Sequence, residues 1–134
     1  MSDPVEDFLA SLDESTAADS RILIEMMSRI SGQQPRLWNV GTLGFDSYHY
    51  RYDSGREGDA HALGFYPRRG KITIYLMDGT ARHERALAGL GSHKVSRVCL
   101  YLRRLGDVDL VTLEGVLRDS YDYLKAHDGT MHRA

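Results

Sequence analysis

Six histidines, one cysteine and a run of N-terminal carboxylates are the side chains of this 134-residue chain that could carry chemistry. Metal sites built from local sequence set two imidazoles one helical turn apart or alternate them with cysteines. Here His127 and His132 are five apart, and His83 and His93 flank a GLG segment where solvent exposure is expected. His49 and His61 are expected on opposite faces of a sheet, which would keep them from sharing an ion. Cys99 lies mid-strand near Arg97 and Arg103, whose charge would favour a thiolate, but a reactive thiol also needs a base and an oxyanion site. Neither can be identified, so a structural, partly buried cysteine is expected. No G-x-S-x-G elbow occurs, and GTLGF and GLGSH fit neither the Walker pattern nor the dinucleotide fingerprint. These gaps point to a non-enzymatic protein. Asp3, Glu6, Asp7, Asp13, Glu14 and Asp19 form an oxygen-rich surface of the kind that ferrous iron accepts, although the helix dipole also favours acids at helix starts. Glu6, Asp7 and Glu14 are its candidate metal ligands.

The elements that must position these groups are legible in the pattern. Asp3 followed by Pro4 reads as a cap and a first helical position, with Val5, Phe8, Leu9 and Leu12 at helical spacing. A second helix is expected from Ser15 to Ser31, with Ile22, Met26 and Ile30 along one stripe, Leu23 and Met27 beside it, and Gly32 as terminator. A closing helix is expected over Asp109–His127 and a shorter one over Ala81–Leu90. Between them lies a meander. DSGREG reads as a turn between Tyr48–Tyr52 and Ala60–Tyr66, PRRG as a four-residue turn between Tyr66 and Lys71, and Arg97–Arg103 as a further strand. Gly41 and Gly44 suggest a bend or bulge within Trp38–Phe45.

Residues directly opposite on antiparallel strands point the same way, so register predicts the faces. Pairing Tyr66 with Lys71 sets Phe65 against Ile72 and Leu63 against Ile74, on the core side. In the first hairpin only an odd sum of paired numbers, as in Tyr50 with His61 and Tyr48 with Leu63, keeps Arg51 out of that core under strict alternation. Tyr48, Tyr50 and Tyr52 then lie under the helices. The other side collects His49, Arg51, Ala62, Gly64, Lys71, Thr73, Tyr75, Arg97, Cys99, Tyr101 and Arg103. The expected fold class is α+β: a mostly antiparallel sheet with helices from both termini packed on one face. Its open face, basic and tyrosine-bearing, is the expected binding surface for a small anionic ligand or a protein partner. Aromatic rings beside cations can stack and pair with such groups. His49, Arg51, Tyr75, Tyr101 and Arg103 are its candidate ligand-binding residues. SHKVSR could add positive charge or backbone N–H groups to an anion site. Ala60, Ala62 and Gly64, read as small neighbours on that face, would also admit a second copy in a homodimer.

Composition narrows the classes further. The length suits one domain, placed at residues 4–125, with 126–134 expected as a flexible tail. A net charge of -2, from 17 basic and 19 acidic residues interspersed, argues against a general affinity for nucleic acid or anionic membrane. One cysteine fits a reducing compartment, and the acidic start MSDPVEDFLASL does not read as a secretory signal. No apolar run approaches the roughly 20 residues a spanning helix needs, so a cytoplasmic protein is expected.

Several separated segments occur in an order that resembles the YdhG-like family, small bacterial proteins catalogued as a domain of unknown function. They are VEDFLASL, LWNVGTLGFDSYHYRYDSGREGD, LGFYPRRGKITIYLMDG, LGSHKVSRVCLYLRRLGDVDL and the closing helix, together about residues 4–125. The resemblance implies a compact fold with helices flanking an antiparallel sheet. Some relatives are described as frataxin-like intracellular iron chaperones, which implies ferrous iron as the alternative ligand, held by the N-terminal carboxylates. The resemblance carries over no catalytic residue.

Overall fold

The computed structural model describes residues 3–39, 41–51 and 54–127. Its helices begin where side-chain acceptors meet the first unpaired backbone N–H groups. Asp3 accepts from the Val5 amide at 2.9 Å and opens α1, Pro4–Ala10. Asp13 accepts from the Thr16 amide and the Ser15 hydroxyl and opens α2, Glu14–Ser31. Those two neighbours, Thr16 first, hold the Asp13 carboxyl at about 2. Gly32 closes α2 with φ of 70°, a left-handed turn that costs glycine little. The short helix expected after Ala81 is a 3-10 turn, Thr80–His83, running into α3, Glu84–Leu87. Asp109 caps the amides of Val111 and Thr112 at the head of α4, Leu110–Ala126.

Six antiparallel strands form one sheet: β1 Arg36–Trp38, β2 Thr42–Arg51, β3 Glu57–Arg68, β4 Lys71–Tyr75, β5 Lys94–Val95 and β6 Cys99–Leu102. Their order is β1-β2-β3-β4-β6-β5. The fold is therefore α+β, as the pattern predicts. Leu43, Phe45, Leu63, Phe65, Ile72, Ile74 and Leu100 pack against Leu9, Leu23, Met27, Leu113 and Leu117 of the helices, all buried. Each such side chain contributes about 1.5–3 kcal/mol relative to leaving it in water. On α2 the buried stripe is Leu23, Met26, Met27 and Ile30, while Ile22, expected on the stripe, is 41% exposed. The tail expected over 126–134 lies outside the described residues from 128 onward, and Ala126 ends α4.

Both hairpin registers differ from expectation. Arg68 pairs with Lys71, so the β3–β4 turn is the two residues Arg69 and Gly70, with Gly70 at φ of 74°. Phe65 thus meets Ile74 rather than Ile72; the slip of two preserves the faces. In the first hairpin the sums are even: Leu43 meets Phe65, Tyr48 meets Ala60 and Arg51 meets Glu57. Strict alternation would then drive Arg51 coreward with Phe45, yet Arg51 is exposed and Tyr48 is buried. The reason is Asp46, which sits at φ of 57° where the ladder breaks between Phe45↔Leu63 and Ser47↔His61. Asp is among the few residues that visit this region readily. The kink reverses the alternation, and Tyr121 Oη holds it by donating to Asp46 Oδ2 at 2.6 Å. Tyr48 then packs with Ala62 and Leu124 under α4. Ala62, expected on the open face, is in fact on the helix side, and His61 occupies the open face instead. Tyr52 falls outside the described residues.

A buried polar cluster fastens α4 to the end of β4. The Asp78 side chain is fully buried and accepts from Ser120 Oγ at 2.6 Å, from His83 Nε2 at 2.8 Å and from Arg82. Asp119 lies 3.4 Å from His83 Nδ1, and the Arg82 guanidinium stacks on Tyr123 at 3.9 Å. Burial alone would raise the Asp78 carboxyl, but the hydrogen bonds from His83 and Ser120, the His83 charge and Arg82 outweigh it and hold it below 3.8.

Candidate functional site

Among the described residues no helix covers the open face of the sheet, which divides into two electrostatically different ends. At the β2–β3 end, His49 sits between two acids, with Nδ1 3.0 Å from Asp59 and Nε2 2.8 Å from Glu57. Glu57 also meets Arg51 at 3.6 Å. The hydrogen bonds that His49 donates to Asp59 and Glu57 raise its imidazole above 6.5, and the one it donates to Glu57, with the charge of Arg51, lowers Glu57. This end is internally neutralised. His49 and His61 prove to share the face, since His61 opposes Ser47 and His49 lies two residues further along the same strand. The expectation that they lie on opposite faces fails because it assumed unbroken alternation through Asp46.

In the middle of the face, His61 meets Trp38 edge-on at 5.5 Å and Tyr75 at 5.1 Å. Gly44 and Gly64 form the floor beneath. A Cβ on Gly44 would stand 2.4 Å from the Trp38 ring, and one on Gly64 2.7 Å from His61 Nδ1. The bend expected at Gly44 is instead a close approach within a continuous strand. Among the described residues His61 Nδ1 is buried without a hydrogen-bond partner, and burial pushes the imidazole below 6.5. The small-residue stripe expected to admit a second copy is thus occupied: Gly64 by His61, and Ala62 by its turn to the other side.

At the β4–β6–β5 end the charge is uncompensated. A groove of about 630 Å³ is lined by Lys71 of β4, Lys94 of β5, Tyr101 of β6 and Arg103 just beyond it, with Ser92 and His93 from the preceding loop. None of its lining residues is acidic. Lys71, Lys94 and Arg103 are exposed and have no carboxylate partner among the described residues; the same holds for Arg36, Arg68 and Arg97, none of which lines the groove, while Arg21, Arg29, Arg82, Arg104 and Arg118 are paired. The Lys71 ammonium lies 4.8 Å from the Tyr101 ring centroid, a cation–π contact, and the Tyr101 hydroxyl is 3.1 Å from Ser96 Oγ. His93 Nδ1 is 2.7 Å from the Gly91 carbonyl, an oxygen that can only accept, so Nδ1 carries the proton. Preorganised cations without internal partners attract an anion without first breaking an ion pair.

Of the five expected ligand residues, the fold brings Tyr101 and Arg103 together in this groove. Tyr75 lies on β4 against His61, and His49 and Arg51 lie on β2, separated from β4 by β3. Arg97 falls in the segment before β6, where its carbonyl accepts from the Thr80 amide at 3.0 Å, rather than in the strand. Lys94 and His93 were visible in SHKVSR, but only the two-residue strand β5, paired as Lys94↔Tyr101, sets them beside Arg103. His61 carried no signal beyond its residue type. Among the candidate metal ligands, Glu6 is bound by Arg21 through two nitrogens at 3.3 and 3.1 Å. Glu14 lies in the first turn of α2, whereas Glu6 and Asp7 lie on α1. Among the described residues no group of three or more His, Cys, Asp or Glu is arranged to hold a metal ion, and no helix is long and apolar enough to cross a membrane.

No family model matches the chain, and comparison with curated proteins and with solved structures finds no match.

Proposed function

We propose that this chain is a non-enzymatic binding domain that takes a small anionic ligand in the groove between Lys71, Lys94 and Arg103. The observation that carries the reading is the convergence of three cations, from β4, β5 and the residue after β6, with no acid among the groove's lining residues. At the β2–β3 end of the same face, by contrast, the charges are matched, as at His49, Arg51, Glu57 and Asp59. An unmatched cluster is electrostatically unfavourable to keep unless something anionic visits it. A YdhG-like kinship and a cytoplasmic setting belong to the same proposal. The ferrous-iron reading ranks second, because an ion at Glu6 would have to displace Arg21.

The test is isothermal titration of the purified chain with citrate, sulfate and triphosphate at low salt. Saturable binding that is lost in the Lys71→Gln, Arg103→Gln double variant and retained in Arg51→Gln supports the groove. Binding that survives the double variant, or no binding of any anion, rejects it.

A further inference from the structure

Resting on that reading, we infer that the groove recognises the oligophosphate group of its ligand and makes no use of the organic part to which that group is attached. Charge number is the first reason. Lys71, Lys94 and Arg103 offer three positive charges to one groove. A di- or triphosphate carries several negative charges on closely spaced oxygens, whereas a single carboxylate would leave most of these cations uncompensated. Donor geometry is the second. Arg103 presents a planar fork that suits two oxygens of a phosphoryl group, and the lysines are point charges that accept any oxygen around them. Ser92 brings a hydroxyl to the same lining.

The third reason concerns the ring. Tyr101 would be the natural platform for a nucleobase, since aromatic faces stack bases without regard to identity. Here the Tyr101 ring is already faced by the Lys71 ammonium at 4.8 Å, and its hydroxyl is tied to Ser96. A base could stack on that side only by expelling the cation that the phosphate needs. Tyr101 therefore acts as the seat of Lys71, orienting its charge, and the rest of the ligand projects into solvent from an open groove. The same logic separates a terminal oligophosphate from a nucleic-acid backbone, whose phosphodiesters carry one charge each at wider spacing.

The experiment is calorimetry on the full chain in magnesium-free buffer, with sodium triphosphate, ATP, GTP, adenosine, citrate and a single-stranded decanucleotide as separate probes. Triphosphate, ATP and GTP are expected to bind within about threefold of one another, adenosine not at all, and citrate and the oligonucleotide at least about tenfold more weakly, a difference of about 1.4 kcal/mol. Lys94→Gln and Arg103→Gln, both at exposed positions, are each expected to weaken triphosphate about tenfold, the scale of one charge-assisted hydrogen bond. Unchanged helical circular dichroism in both variants certifies the comparison. ATP binding more than tenfold tighter than triphosphate would show that the base is read and overturn the inference. Citrate matching triphosphate, or the oligonucleotide exceeding it, would overturn it while leaving an anion site in place. Failure of every anion, citrate included, would remove the underlying reading itself.

Discussion

Replacing Asp78 with alanine tests whether the polar cluster beneath α4 holds the fold together. The change removes one fully buried carboxylate and with it the acceptor of Ser120, His83 and Arg82. Ser120 is wholly inaccessible and His83 is 3% exposed, so water cannot readily replace the lost acceptor. Arg82 is partly solvated and retains Asp119 and the Tyr123 ring, which limits its share. Removing one partner of a buried, hydrogen-bonded ion pair costs about 3–5 kcal/mol. The unfolding entropy is roughly 2.1 cal/mol/K per residue, or about 0.28 kcal/mol/K over 134 residues, so Tm should fall by about 11–18 °C. Circular dichroism at 222 nm during thermal unfolding at pH 7 measures it, with Ser120→Ala expected to cost about 1–3 kcal/mol in parallel. The acid limb gives a second reading. Because the folded carboxyl lies below 3.8, its contribution is complete above that value and is lost as pH falls through the folded pKa. Wild type should therefore lose stability below about pH 4 more steeply than the alanine variant. A Tm drop of less than about 3 °C, or parallel acid limbs, would refute the account of the cluster.

Three further outcomes follow from the rest of the molecule. Gly64→Ala should cost about 1–3 kcal/mol, because its methyl would stand 2.7 Å from His61 Nδ1, and the loss should shrink in the Gly64→Ala, His61→Ala double variant; Trp38, the sole tryptophan, reports both by fluorescence, and additive costs would contradict the packing. Asp46→Ala should destabilise by about 2–3 kcal/mol, combining left-handed strain with loss of the Tyr121 hydrogen bond, and Asp46→Gly should cost less; equal Tm values for the two would show that the backbone is unstrained at this kink. Proton NMR titration should place His49 above 6.5, where the pairing it stabilises is full below that value and lost as pH rises through the folded pKa, and His61 below 6.5, with the opposite sign of pH dependence; coincident midpoints would contradict both environments.

The start of α1 and the end of α2 were legible because the cap Asp3 and the terminator Gly32 act on backbone within a few residues of themselves; the caps Asp13 and Asp109, equally local, shift the other two starts by one residue from expectation. The sheet's apolar face was legible for the same reason, since Ile72, Ile74, Leu100 and Leu102 alternate within their own strands. What alternation could not reveal is the left-handed residue at Asp46, which lets an even register coexist with a buried Tyr48 and an exposed Arg51. Its determinant is Tyr121, 75 residues away on α4. The groove was half legible. Tyr101 and Arg103 stand on one expected strand, but their partner Lys94 arrives through a two-residue strand too short to leave a periodic signal. His49 and Arg51 looked like members of the same basic face because Glu57, read as part of a turn, and Asp59, read as outside the strand, are in fact the first acids of β3 and sit directly beside them.

The groove itself is tested most directly by mapping amide chemical shifts during titration with triphosphate. The account predicts saturable shifts concentrated on residues 70–71, 92–95 and 101–103, with His49, Arg51, Glu6 and Glu14 unmoved. Shifts centred on the β2–β3 end or on α1 and α2, or a spectrum indifferent to triphosphate, would contradict it.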